Sequence, residues 1–359
     1  MKVGIAAAGS GGHVYPALAV AESLIELGMH KDDIVFFGGD RMEAEVIPTA
    51  GYPFVEVDIH GVRRSLSVDN LTLPLKIRRA TRVMSDQIEL LGIRAMVVFG
   101  GYVSGPAGLA ARRTKIPLII HEANAVPGMA NRLLASSADT VFVAFEPATK
   151  KLRKGIVVGN PLRSSFESFD REALRPEARK RYGMDQSGIV LGVFGGSLGA
   201  AALNEIAAEI ASDHTRGFEI LQVTGESHFE QIAGNAASVE GWFVVPFETE
   251  MELLYAACDV VLSRSGAMTV SELHATATPA ILVPLPAGRG YQGLNAGDLV
   301  KTGAGIVIGQ ERRNEIIDTA HALLADEVKR KEMSDTAKAS QHHGVARSIA
   351  EHVLGLVHD

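Results

Sequence analysis

The run Val3-Gly4-Ile5-Ala6-Ala7-Ala8 leads directly into Gly9-Ser10-Gly11-Gly12-His13. In the second half of the chain, Ile189-Val190-Leu191-Gly192-Val193-Phe194 leads into Gly195-Gly196-Ser197-Leu198-Gly199-Ala200. In both places a short apolar run with the composition of a buried strand ends in glycines and gives way to a helical pattern. Glycine permits the tight strand-to-helix turn and lets the backbone come close to a ligand. The helix that follows offers unpaired N–H groups and the positive end of its dipole, which suit phosphate or another anion.

Working outward, short apolar runs alternate with helical patterns along the whole chain. Strands are expected near 2–8, 33–38, 54–58, 95–99, 117–121 and 139–143, then near 189–194, 219–223, 242–245, 259–263, 280–283 and 304–308. Helices are expected over Tyr15 to Leu27, Leu71 to Leu91, Gly128 to Ser136 and 343–357, among others. This alternation means parallel sheets covered on both faces, an α/β architecture. A chain of 359 residues is long for one core, so two domains are expected. The turn Val158-Gly159-Asn160-Pro161-Leu162-Arg163 is the expected boundary, because Pro161 disfavours helix at Asn160. Two glycine turns of this kind imply two Rossmann-like domains with a nucleotide-bearing ligand between them.

Composition narrows the class. Apolar residues make up 47% and charged residues 21%, ordinary for a globular protein, and a net charge of −7 argues against nucleic acid as a partner. The single Cys258 sits in the apolar run Ala256 to Leu262 and reads as a core residue rather than a nucleophile. No run is long enough to span a bilayer, and the N-terminus enters a strand without a signal-like segment, so a cytoplasmic protein is expected.

The glycine loops are not a dinucleotide fingerprint, and there is no Walker-type Gly-Lys-Ser/Thr. There is also no Asp-x-Asp pair or zinc-spaced Cys/His cluster, so no metal site is expected. A diphosphate here would be met by helix N-termini and by Arg163 or Arg264, for each of which a structural ion pair is an equal alternative. Glu272 lies one turn into the helix opened by Arg264-Ser265-Gly266-Ala267-Met268-Thr269-Val270-Ser271. It could accept both hydroxyls of a ribose, or it could be an acid favoured by the helix dipole. His13 closes the first loop at a helix start, where the dipole disfavours protonation and suits a neutral base. His121-Glu122-Ala123-Asn124 ends an apolar strand with polar side chains, at the sheet end where ligands bind.

These residues, with Gly100-Gly101-Tyr102-Val103-Ser104-Gly105-Pro106, Gly159-Asn160-Pro161-Leu162-Arg163 and Gln292-Gly293-Leu294-Asn295-Ala296, resemble the MurG-type glycosyltransferases in order and over nearly the whole chain. The resemblance implies a GT-B fold, two Rossmann-like domains with parallel sheets facing across a cleft. It implies inverting transfer of N-acetylglucosamine (GlcNAc) from UDP-GlcNAc to lipid I, undecaprenyl-pyrophosphoryl-N-acetylmuramyl-pentapeptide. Residues 1–159 with a C-terminal helix at about 341–359 would form the acceptor and membrane-associated domain, and 160–340 the donor domain. Ser197 and Arg163 would meet the diphosphate, Glu272 the ribose, and the backbone at Phe247 and Glu248 the uracil. Ala267, Met268 and Gln292 would line the donor site, which Ser10, Gly11, Gly12, His13 and Asn124 could also reach. Tyr102, Glu122 and Asn131 would face the acceptor. Where many members have Gln this chain has Leu198, and the run before Asn295 reads Gly290-Tyr291-Gln292.

The implied chemistry is attack of the N-acetylmuramic acid (MurNAc) 4-hydroxyl on the anomeric carbon, opposite UDP. His13 is the first candidate base and Glu122 the second, and no cofactor is required. A lipid-held acceptor implies a docking surface. At about 100° per residue, Ile77, Ala80, Met84, Ile88 and Leu91 share one helix face, and Leu71, Leu75, Arg78, Arg79 and Arg82 the other. Leucines mixed with arginines suit an anionic phospholipid interface at the cytoplasmic face of the membrane, which Arg63, Arg64, Arg112, Arg113 and Lys115 would extend. Other cell-wall synthesis and division proteins are candidate partners. The competing readings are a UDP-GlcNAc 2-epimerase, a dehydrogenase using Asp40, and a silent UDP-sugar-binding scaffold.

Overall fold

The computed structural model describes residues 1–59, 73–152, 154–196, 199–286, 292–339 and 341–358. The first apolar run forms β1 (Lys2–Ala6), which is buried from Val3 onward because it lies mid-sheet with neighbours on both edges. Its sheet contains β2 (Ile34–Gly38), β3 (Phe54–Glu56), β4 (Ile93–Val98), β5 (Leu118–Glu122), β6 (Thr140–Val143) and β7 (Gly155–Val157), in the order β3-β2-β1-β4-β5-β6-β7. The second sheet contains β8 (Val190–Phe194), β9 (Glu219–Val223), β10 (Trp242–Val245), β11 (Val260–Ser263), β12 (Ala280–Leu282) and β13 (Gly305–Val307), in the order β10-β9-β8-β11-β12-β13. All these pairings are parallel. Each sheet therefore reverses its strand order beside its first strand, the point at which doubly wound sheets bind ligands.

Strand β7 is absent from the expected set. It is a three-residue edge strand whose Ile156 and Val157 are 52% and 41% exposed, so it carries no buried pattern to read.

The chain divides into two compact units, Met1–Arg163 with Gly344 onward, and Ser164–His343. The division falls at the end of the Pro161 turn, so Arg163 belongs to the first unit. In that unit the C-terminal helix Val345–His358 lays Ile349, Ala350 and Val353 against Val14, Leu18 and Leu24 of helix Gly11–Glu26. His352 Nε2 also meets Thr140 Oγ1 at 2.7 Å. The opposite face of the sheet is covered by helices Leu73–Leu91 and Ser104–Thr114. In the second unit Asp170 caps helix Arg171–Tyr182, and Gly183 ends it in a left-handed conformation. Arg171 donates to the carbonyls of Tyr255 (2.7 Å) and Thr276 (3.0 Å), at the ends of helices Met251–Ala257 and Ala267–Thr276. Cys258 is fully buried and burial pushes its thiol up to about 12, a core residue and not a nucleophile.

Candidate active site

In the first unit the switch point lies between β1 and β4. Ala6 pairs with Val98, so the turns that follow these strands stand level. The two turns interlock. A Cβ on Gly101 (φ +80°) would lie 2.2 Å from the Ala8 carbonyl oxygen, so only glycine fits both the conformation and the space. Ala8 in turn accepts a hydrogen bond from His13 Nδ1 at 3.0 Å. That contact assigns the ring proton to Nδ1 and leaves Nε2 with a lone pair. Burial lowers the His13 pKa below its ordinary value, outweighing the Ala8 carbonyl and the charges of Glu122 and Glu43, which act the other way. Ser10 is exposed, and Gly11 and Gly12 form the open first turn of the helix, with no side-chain cap.

A buried carboxylate that the sequence reading passed over, Glu43, ties these loops together. Its Oε2 accepts the Gly9 N–H at 3.1 Å, and its Oε1 accepts the Gly39 N–H at 3.1 Å and the Tyr102 hydroxyl at 2.6 Å.

The polar end of β5 turns inward. His121 is fully buried, with Nε2 on the Gly159 carbonyl at 3.0 Å, and burial lowers its pKa to about 4. It holds the turn that ends the first unit and is not a crevice residue, a correction to its expected place. Glu122 is 3% exposed and Asn131 2%. Glu122 accepts four donors: Asn124 N (3.0 Å), Asn124 Nδ2 (3.4 Å), Gly128 N (3.0 Å) and Asn131 Nδ2 (2.9 Å). Those donors fill the lone pairs a carboxylate has, so Glu122 fastens the 124–131 loop and has no free site for a substrate proton. Asn131 Nδ2 is shared between that bond and the His121 carbonyl (3.4 Å), while its buried Oδ1 has no hydrogen-bond partner.

In the second unit β8 and β11 flank the switch point, where Phe194 pairs with Ser263 and accepts its hydroxyl at 2.8 Å. Helix Ala267–Thr276 begins there, with Gly266 as N-cap and no side-chain cap bond. Ala267 is buried, Met268 and Glu272 are half-buried, and Tyr255 donates its hydroxyl to Glu272 Oε2 at 2.9 Å. Asn295 Nδ2 holds the Ser265 carbonyl at 3.2 Å, and Gln292 Oε1 accepts the Leu285 N–H at 3.1 Å. Phe247 is 40% exposed while Glu248 is 8% exposed, clamped by Tyr182 (2.5 Å), by Arg181 (3.2 Å) and by the Glu250 N–H (2.8 Å). Glu43, Tyr182, Tyr255 and Asn295 touch Tyr102, Glu248, Glu272 and the Ser265 carbonyl in turn, and nothing in their local sequence marks those partners.

Arg264 is not aimed at a ligand. It is 7% exposed and donates to the carbonyls of Val283 (3.0 Å) and Pro284 (3.3 Å) and to Gln310 (2.8 Å). Arg163 lies over the Tyr15 ring, 5.5 Å from its centroid, within the first unit. Ser197 and the departures at Leu198 and Tyr291 lie outside the described residues.

The helix Leu73–Leu91 has the two faces its periodicity predicts. Ala80, Met84 and Ile88 are buried, whereas Leu75 is 68% exposed and Arg78, Arg79 and Arg82 are exposed. Arg112, Arg113 and Lys115 are exposed at the end of the neighbouring helix. Leu71, Arg63 and Arg64 lie outside the described residues. Among the described residues no helix is long and apolar enough to cross a membrane.

Residues 3–143 match the glycosyltransferase family 28 N-terminal domain, and residues 190–349 match the C-terminal domain of the same family. With two parallel sheets of this order, the chain has the GT-B fold of nucleotide-sugar glycosyltransferases. It is 38% identical, over its whole length and 96% of the relative's, to the UDP-N-acetylglucosamine--N-acetylmuramyl-(pentapeptide) pyrophosphoryl-undecaprenol N-acetylglucosamine transferase of Mycobacterium sp. (strain KMS). Its structure is similar to that of Acinetobacter baumannii MurG, with a TM-score of 0.76 and 28% identity over 99% of this chain and 100% of the other. The chain therefore belongs to the MurG family. A UDP-GlcNAc 2-epimerase from Neisseria meningitidis, at 15% identity and a TM-score of 0.70 over 99% of this chain and all of the other, shares the fold alone.

Proposed function

We propose that this protein transfers N-acetylglucosamine from UDP-GlcNAc to the 4-hydroxyl of MurNAc in lipid I, forming lipid II for the peptidoglycan of the cell wall. The observation that carries this reading is the full-length match to a relative named for that activity, together with the match to both domains of the family.

In the proposed step the acceptor oxygen bonds to the anomeric carbon, the bond from that carbon to the UDP oxygen breaks, and the hydroxyl proton passes to His13 Nε2. Attack from the side opposite UDP inverts the centre to a β-1,4 linkage. What supports His13 as the base is its lowered pKa together with the Nδ1–H bond to Ala8, which keeps Nε2 available. Glu122 and Asn131 then shape the acceptor side by holding the loop that carries Asn124, and Tyr102 faces the acceptor from the loop after β4. On the donor side Glu272 takes the ribose, the backbone at Phe247 and Glu248 the uracil, and Ala267, Met268 and Gln292 the remaining wall. Ser197, Arg163 and the helix N-termini at Gly11, Gly12 and Ala267 balance the diphosphate without a metal.

The lipid-held acceptor is met at an anionic membrane surface. What supports this placement is the exposed row Leu75, Arg78, Arg79 and Arg82 beside Arg112, Arg113 and Lys115. The cytoplasmic face, where UDP-sugars are held, and neighbouring cell-wall and division proteins complete the setting.

The test is transfer of labelled GlcNAc from its UDP donor to a soluble lipid I analogue, with EDTA present. A β-1,4-linked product is expected. Tight UDP-GlcNAc binding without product, with N-acetylmannosamine released, would replace this reading with the epimerase.

A further inference from the structure

Three adjacent strands, β2, β1 and β4, end in loops that carry Gly39, Gly9 and Tyr102, and one side chain holds all three. Glu43 lies in the first turn of helix Met42–Thr49 and is fully buried. An apolar residue would fill the same space without the cost of burying a charge. Besides its own N–H, the donors this charge meets come from the loops after β1, β2 and β4. Burial pushes the Glu43 carboxyl up, but the hydrogen bonds from Tyr102, Gly9, its own N–H and Gly39 together outweigh it and hold it below its usual range. The fit at Gly39 is close: a Cβ there would lie 2.1 Å from the Tyr102 hydroxyl oxygen. The Arg41 guanidinium lies over the Tyr102 ring, 5.5 Å from its centroid. The loop that begins at Gly9 carries Ser10 and ends at His13. Glu43 and Glu122 are the anions that raise the His13 pKa, and His121 is the other titratable group coupled to it.

Resting on the functional reading above, we propose that Glu43 is a positioning residue of the transfer reaction. Its carboxylate locks the first glycine loop, which ends at His13, and Tyr102 into one arrangement.

Glu43→Gln keeps the size but replaces one acceptor oxygen by an N–H₂, so one loop N–H loses its partner. The expected result is a fall in kcat of at least about tenfold, the loss of one such hydrogen bond. The acid limb of the kcat/KM profile should move to lower pH, because an anion near the imidazole is gone. UDP affinity should fall much less than kcat, since Glu272 and the uracil-facing backbone at Phe247 and Glu248 lie in the other unit. Gly39→Ala separates the two effects: its methyl displaces the Tyr102 hydroxyl but leaves the charge, so kcat falls and the acid limb stays in place. Wild-type kcat in either variant would overturn the proposal. If Glu43→Gln does not fold, the Gly39→Ala rate decides. A wild-type protein that transfers nothing would instead overturn the functional reading on which this rests.

Discussion

Gly101→Ala should cost more than any other single methyl added at the β4 turn, and the structure sets the size of the effect. Gly101 has φ +80°, where an L-residue pays about 1–2 kcal/mol. Its new Cβ would also stand 2.2 Å from the Ala8 carbonyl oxygen, a rigid backbone atom mid-loop. Relieving such an overlap costs about 1–3 kcal/mol. The sum is about 2–5 kcal/mol, and in a unit of this size that lowers the melting temperature by roughly 4–20 °C. Gly105→Ala, four residues on, is the control. Nothing lies within 4 Å of its Cβ, and it sits in helix Ser104–Thr114, so it should be neutral or stabilising by up to about 1 kcal/mol. Thermal and urea unfolding of the two variants beside the wild type reads the difference. Because Ala8 also receives His13 Nδ1, the damaged turn should lose kcat as well as stability. A Gly101→Ala protein that melts with the wild type, at full rate, would refute the interlock of the two loops.

Three further outcomes follow from the same geometry. Burial holds His121 at about 4 against an ordinary 6.5, so the unfolded chain takes up the extra proton first and stability falls as pH drops through that window, by up to about 3 kcal/mol. His121→Asn, which cannot titrate there but keeps an N–H for the Gly159 carbonyl, should flatten the urea midpoint between those pH values, and an unchanged acid slope would assign the loss to other groups. Tyr255→Phe removes the hydroxyl bonded to Glu272, and a hydrogen bond to a charge is worth about 1.5–3 kcal/mol. The KM for UDP-GlcNAc should rise about tenfold with kcat little changed, whereas an unmoved KM would detach Glu272 from the donor. Reversing Arg78, Arg79 and Arg82 to Glu should weaken binding to phosphatidylglycerol vesicles at least about 100-fold, from about 1 kcal/mol per basic residue. Unchanged sedimentation with the vesicles would move the docking surface elsewhere.

The central strands were legible in the sequence because a parallel strand covered on both faces must be apolar throughout. Val3 to Ala8 and Val190 to Phe194 are nearly or fully buried and read as continuous apolar runs. The glycine turns were legible for a related reason: where backbone meets backbone, as at Gly101 and Ala8, no other residue fits. The edge was not legible. β7 has two half-exposed side chains and three residues, so neither alternation nor length marks it.

The candidate site is legible in the sequence only where a residue's type is tied to its own position. His13 and Glu272 each follow a glycine turn at a helix start, and the sequence shows both turn and residue. What an ionisable side chain touches is set by the tertiary fold. Arg264 in a glycine-rich turn looked like an anion partner, yet its guanidinium completes the backbone of the neighbouring 283–284 turn. Glu43 is an acid in the first turn of a helix, where the dipole favours it, so its residue type and position alone do not single it out. Its partners lie 34, 4 and 59 positions away, on three loops. Buried charges of this kind are costly unless all their hydrogen bonds are made. A polar residue that the fold satisfies from several loops at once, as it does Glu43, therefore marks where those loops must not move.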